Sequence, residues 1–399
     1  MTAVMIIMAV VFLWGVVSAR LERADLTAPI VFTAAGGLLA ATGLITGPSA
    51  PEVLRPLVEF TLVWVLFSDA AGVPYRELRS DAGLYLRLLG IGLPLTVLAG
   101  WGLALWLFPG LGIWLALLVG AALAPTDAAL GLAVVTNRVV PPRIRRLITV
   151  ESGLNDGIAT PVVMFALAGA ASAEGAEGAP GPGEALAELG VGAVTGVVIG
   201  LAGGFLLNRA RRRRWAAEEF TGVAVLALAL VAYTGSVALH GNGFIAAFCA
   251  GLAFGATSGE RGAAELAFLK QTEDLVSLLV WLAFGAIAIP VLAGRADLLI
   301  LLYGLLSLTL LRMLPVALST LGSGLDRASV LFIGWFGPRG LASLVFALLA
   351  LETLGSQADE AIAVITVTVL LSVLAHGFSA GPLATRYGTR SSRQPFGPV

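Results

Sequence analysis

Glu151-Ser152-Gly153-Leu154-Asn155-Asp156 interrupts a stretch that otherwise reads as one membrane-crossing helix. Leu147-Ile148-Thr149-Val150 precedes it, and Ile158-Ala159-Thr160-Pro161-Val162-Val163-Met164-Phe165 follows. A span needs about twenty predominantly apolar residues. An ionised side chain at that depth is costly unless it is paired or holds an ion. Two carboxylates within one segment therefore mark it as the functional site, and the chain is read outward from it. On a helix Glu151 and Asn155 stack on one face, and Ser152 and Asp156 form a second stripe about 100° away.

Composition sets the class. Hydrophobic residues make up 58% of the 399 and charged residues 12%, where soluble domains carry about 25% charged. The 49 glycines suit membrane helices whose backbones approach closely. The fold class is an all-α polytopic membrane protein. Cys249 is the single cysteine, so no disulfide framework is expected. Met1 to Val17 lacks a basic leader and is followed by Arg20, Glu22 and Arg23; it reads as a first span, not a signal peptide. Nucleotide-binding loops, dinucleotide fingerprints and nucleophile elbows do not occur. His240 and His376 are too scattered for a zinc site. The expectation is a secondary transporter, not an enzyme, with no cofactor and no nucleic-acid partner.

Thirteen apolar stretches lie at approximately 2–19, 28–46, 56–72, 83–108, 111–134, 145–170, 186–208, 217–239, 241–257, 267–290, 297–320, 328–351 and 360–381. With the C-terminus inside, nineteen of the 24 basic residues fall in inside loops, the asymmetry that sets orientation. They include Arg76 and Arg79, the cluster Arg143, Arg145 and Arg146, the run Arg211 to Arg214, Arg261 with Lys270, and Arg393. The whole chain, 1–399, reads as one transporter domain. Its ion-binding core helices are expected within 56–170 and 328–381, a flexible extracytoplasmic loop at 171–185, and a short cytoplasmic tail at 384–399.

Spans 1–6 and 8–13 start on opposite sides, the parity of an inverted repeat, in which span 5 pairs with span 12. Both are interrupted, by Ala124-Pro125-Thr126-Asp127 and by Gly334-Trp335-Phe336-Gly337-Pro338-Arg339-Gly340. Paired Pro/Gly-interrupted spans point to a midplane binding site. Pro125 removes a backbone donor, so the helix unwinds there and its half-helix ends carry opposite partial charges. Asp127 can neutralise a positive end or ligate a cation directly; the Thr126 hydroxyl and freed carbonyls can supply further oxygen. Arg339 stays protonated and needs a partner, with Glu151 and Asp127 as candidates. Arg312 reads as structural. Asp69 lies near the inside end of span 3, facing water or serving as an outer ligand, and Glu59, Glu273 and Asp274 read as interfacial or intersubunit.

Glu151-Ser152-Gly153-Leu154-Asn155-Asp156-Gly157, following Ala124-Pro125-Thr126-Asp127 by about one span, resembles the monovalent cation:proton antiporter family in its NhaP/NHE branch. Phe67-Ser68-Asp69-Ala70-Ala71-Gly72, Gly241-Asn242-Gly243-Phe244-Ile245-Ala246-Ala247 and Gly337-Pro338-Arg339-Gly340 extend the likeness over most of the chain. The resemblance implies an NhaA-like fold of thirteen spans with two crossed, broken helices, in a homodimer in the cell membrane. It implies exchange of sodium, or of lithium or potassium, for protons. Asp156 then matches the cation- and proton-binding aspartate, Ser152 and Thr126 the accessory cation ligands, and Glu151 with Arg339 a stabilising ion pair. Asn155 before Asp156 implies electroneutral exchange, since electrogenic relatives usually carry two aspartates. Asp69 stands where glutamate is commoner. Two readings from other classes stay open: a passive channel or receptor whose charges only hold helices together, and an anion or organic-acid symporter.

Overall fold

The computed structural model of the chain describes residues 2–24, 26–44, 51–73, 81–127, 130–173, 175, 181–258, 262–295 and 297–392. Its helical segments follow the thirteen expected spans. They are α1 (Thr2–Glu22), α2 (Ala28–Ala41), α3 (Pro51–Ala71), α4 (Ala82–Leu107) and α5, which is split into Gly112–Ala122 and Leu132–Val135. Then come α6 (Pro142–Ala173), α7 (Pro182–Arg212), α8 (Glu218–Ala238), α9 (Gly243–Ser258), α10 (Gly262–Arg295) and α11 (Leu298–Ser319). The last are α12, split into Arg327–Trp335 and Leu341–Leu354, and α13 (Asp359–Ser392). Among the described residues no strand occurs. Eight described helices are long and apolar enough to cross a membrane. Large apolar side chains such as Phe12, Leu86, Trp106 and Leu298 point outward, an arrangement that needs lipid to cover it.

Small residues set the packing. Gly36 of α2 lies against the Leu282 carbonyl of α10, and Gly285 of α10 lies against the Thr33 carbonyl of α2. Gly251 and Gly255 of α9 approach the carbonyls of Phe67 and Ala71 in α3 in the same way. Any Cβ at these positions would collide with backbone. With spans 1–6 paired in order with spans 8–13, the α2–α10 contact corresponds to the α9–α3 contact. The expected inverted repeat is thus visible as two equivalent close crossings.

The narrow boundary between α8 and α9 is a true break. His240 adopts φ 55°, and the Asn242 side chain accepts from the Ile245 backbone at 3.1 Å, capping α9.

Two boundaries differ from expectation. The tail expected from residue 384 is helical to Ser392, because Tyr387 stacks on Phe332 at 4.1 Å and meets the Ser329 hydroxyl at 2.6 Å, tying the last turns to α12. The loop expected at 171–185 is shortened at both ends: α6 continues to Ala173 and α7 begins at Pro182, with Glu184 accepting from the Gly181 backbone. Residues 174 and 176–180 of that loop, and Arg76, Arg79, Arg261 and Arg393, lie outside the described residues.

Candidate ion-binding site

The two broken helices cross at their breaks. In α12 the chain leaves helix after Trp335 and re-enters at Leu341. In α5 helix ends at Ala122, three residues before Pro125. The two segments then join directly, the Asp127 backbone donating to the Pro338 carbonyl at 2.8 Å. The Leu341 backbone donates in return to Asp127 Oδ2 at 2.9 Å. This places a carboxylate at the positive N-terminus of the second half of α12. Gly340 allows the approach, since a Cβ there would run into the Asp127 carboxylate.

Arg339 performs the opposite task. Its guanidinium donates to the carbonyls of Ala124 at 2.6 Å and Pro125 at 3.1 Å, and to Ser307 at 3.4 Å. The Ala124 and Pro125 carbonyls are left over where α5 unwinds, so the arginine neutralises the negative end of one broken helix as Asp127 neutralises the positive end of the other. The break in α12 is fastened to α13 by Ser372, which accepts from the Arg339 backbone at 2.7 Å. His376 Nε2 lies 2.9 Å from the Trp335 carbonyl on the far side of the same break.

The expected pairing of Glu151 with Arg339 is corrected by this geometry. Glu151 Oε1 lies 2.6 Å from Arg312 NH2, with both side chains buried. Arg339 is occupied by carbonyls that only a broken helix exposes, whereas Arg312 reaches Glu151 from α11. The sequence carried a signal for this: Arg312 was also a lone cation inside an apolar span. Gly337 makes room for it, since a Cβ at that position would strike the Arg312 side chain.

The remaining polar groups of α6 face the crossing. The Asn155 amide donates to the Thr126 hydroxyl at 2.7 Å, and the Thr126 and Ser152 hydroxyls are 2.9 Å apart. All three side chains are buried, and Asn155 Oδ1 has no hydrogen-bond partner among the described residues. Asp156 follows one position on, 7% exposed. Its carboxylate forms no ion pair among the described residues. A buried carboxylate without a cationic partner is neutralised by a proton or by a bound cation.

Asp69 stands apart from this inner group. It lines a cavity of about 350 Å³ with Ser68, Thr149, Gly153 and Lys270, and its side chain packs against Gly153, one helical turn before Asp156. Glu273, expected at an interface, is instead 5% exposed. It accepts from the Ser68 hydroxyl and from Lys270, the latter at 2.7 Å. Lys270, expected in a loop, belongs to α10. Sequence reasoning missed both because no periodicity distinguishes a helix end facing an inner cavity from one facing water.

Comparisons with known proteins fit this geometry. The chain is 27% identical over 391 residues to a Na(+)/H(+) antiporter of Schizosaccharomyces pombe, spanning 85% of this chain and 81% of that protein. It is 29% identical over 313 residues to the K(+)/H(+) antiporter NhaP2 of Shewanella sp. (strain ANA-3), covering 74% of this chain but 51% of the relative. Its fold matches the sodium proton antiporter MjNhaP1 of Methanocaldococcus jannaschii with a TM-score of 0.76 at 20% identity, over 97% of this chain and 99% of that one. The profile of the sodium/hydrogen exchanger transmembrane family matches residues 6–386. That match takes in both crossed breaks and the polar face of α6, and the chain belongs to the transmembrane sodium/hydrogen exchanger family.

Proposed function

We propose that this protein exchanges a monovalent cation for a proton by alternating access, the two competing for Asp156. One observation carries the reading: Asp156 is buried beside the Asn155, Thr126 and Ser152 cluster at the crossing, and its carboxylate has no cationic partner among the described residues. Such a group is stable with a proton or with a cation, and holding one excludes the other. Thr126 and Ser152 add neutral oxygens to the cation side of that choice, with Asp127, Glu151 and Asn155 arranging the crossing around them. Sodium is the first candidate, with lithium and potassium next; the names of the relatives cover sodium and potassium.

With a neutral Asn155 beside a single exchanging acid, one cation moves per proton and the cycle is electroneutral. The protein works as a homodimer in the cell membrane; the distribution of basic residues supports a C-terminus in the cytoplasm. Its whole length forms one transporter domain, with ion-binding helices in 56–170 and 328–381.

The test is direct. In inside-out vesicles holding an imposed pH gradient, added sodium or lithium should collapse the gradient. A gradient untouched across the full range of pH and monovalent cations would remove the antiporter reading, and dissipation without counter-transport would favour a passive channel.

A further inference from the structure

The cavity beside α6 holds a charge arrangement that the exchange mechanism does not use. Lys270 Nζ lies 2.7 Å from Glu273 Oε1 and 3.9 Å from Asp69 Oδ1. Glu273 is buried and also accepts from the Ser68 hydroxyl. Two carboxylates thus flank one ammonium, and the Ser68 hydroxyl donates to the second oxygen of Glu273. Carboxylate oxygens attract a free monovalent cation as they attract the ammonium. The lysine stem is 53% exposed, against 6% for Glu273, so the ammonium sits on a flexible tether at the open side of the cavity. Gly153, one helical turn before Asp156, lines the cavity.

We infer that Lys270 is a tethered competitor for the transported cation: its ammonium occupies an outer cation site formed by Asp69, Glu273 and Ser68, and an incoming ion must displace it before reaching Asp156. The inference rests on the antiport reading. Lysine at this position lowers the attraction of the cavity for cations and so sets the concentration at which transport half-saturates. Removing the ammonium leaves Asp69 on the cavity wall and the adjoining Glu273 uncompensated, which concentrates cations there.

The experiment uses the full chain in proteoliposomes, with initial exchange rates measured against sodium concentration. Lys270→Cys is made in a Cys249→Ala background, where position 270 carries the sole thiol. It is expected to lower the apparent KM about three- to tenfold, as loss of one nearby opposing charge would, with the maximal rate little changed. Treatment with 2-aminoethyl methanethiosulfonate restores an ammonium on an already folded protein and should return KM toward the starting value. The neutral methyl reagent should not. Lys270→Gln supplies the same KM comparison if the cysteine variant fails to fold. An exchanging parent whose KM is unchanged by removal of Lys270, or shifted equally by both reagents, overturns the inference alone. A parent that shows no exchange overturns the antiport reading and this inference with it.

Discussion

Asp127 Oδ2 accepts the backbone N–H of Leu341 at 2.9 Å across the crossing of two broken helices. The carboxylate belongs to one inverted repeat and the helix end to the other, so this bond couples the two halves of the protein at its centre. Arg339 completes the exchange by donating to Ala124 and Pro125. Each break thus supplies the charge that neutralises one half-helix end of the other.

Asp127→Asn keeps an acceptor for Leu341 but removes the charge. It should destabilise the folded protein by about 0.3–2 kcal/mol, the range for a charge at a helix terminus. Gly340→Ala, which drives a Cβ into the Asp127 carboxylate, should cost more. Thermal unfolding in detergent ranks the two, and a Gly340→Ala protein as stable as the parent would contradict the crossing.

Glu151 and Arg312 form a buried pair, so removing one partner strands a charge at a cost of roughly 3–5 kcal/mol. Glu151→Gln and Arg312→Gln should each lower folded yield sharply, and the double variant should recover part of the loss. Glu151→Gln combined with Arg339→Gln should recover none. A double-mutant cycle on melting temperature separates the two partnerships.

Asp156→Asn should abolish exchange while leaving the chain folded, since an amide matches the carboxylate in size but binds neither a proton nor a cation in alternation. Thr126→Ala and Ser152→Ala each remove one neutral oxygen, and each should raise the apparent KM for sodium only about two- to tenfold, the worth of one hydrogen-bond-sized contact. Size-exclusion profiles check folding, and dye-reported exchange checks activity. Retained exchange in Asp156→Asn would reassign the site.

Competition at one carboxylate fixes the pH dependence. A protonated Asp156 cannot hold a cation, so apparent KM should rise as pH falls, approaching about tenfold per pH unit on the acid side, with maximal rate preserved at saturating cation. Because one cation replaces one proton, a potassium potential set with valinomycin should leave the rate unchanged. A rate that follows the potential would rule out one-for-one exchange even with antiport intact.

The sequence by itself determined the architecture. Thirteen apolar stretches, the bias of arginine to alternate loops, and interruptions at Pro125 and Pro338 are one-dimensional signals, because the bilayer demands a fixed length of apolar helix and a broken helix needs its proline and glycines in place. Asp156, Asn155, Ser152 and Thr126 were legible as buried polar residues for the same reason: polar atoms within a span stand out from their background. Only the tertiary structure decided who meets whom. Glu151 had two buried arginines available, and the choice of Arg312 over Arg339 depends on which one the unwound end of α5 had already engaged through its carbonyls. Lys270 read as a loop residue and Glu273 as interfacial, and only the packing of α10 against α3 turned them inward to Ser68 and Asp69. Partner choice among charges is a property of distance in space, and sequence order does not encode it.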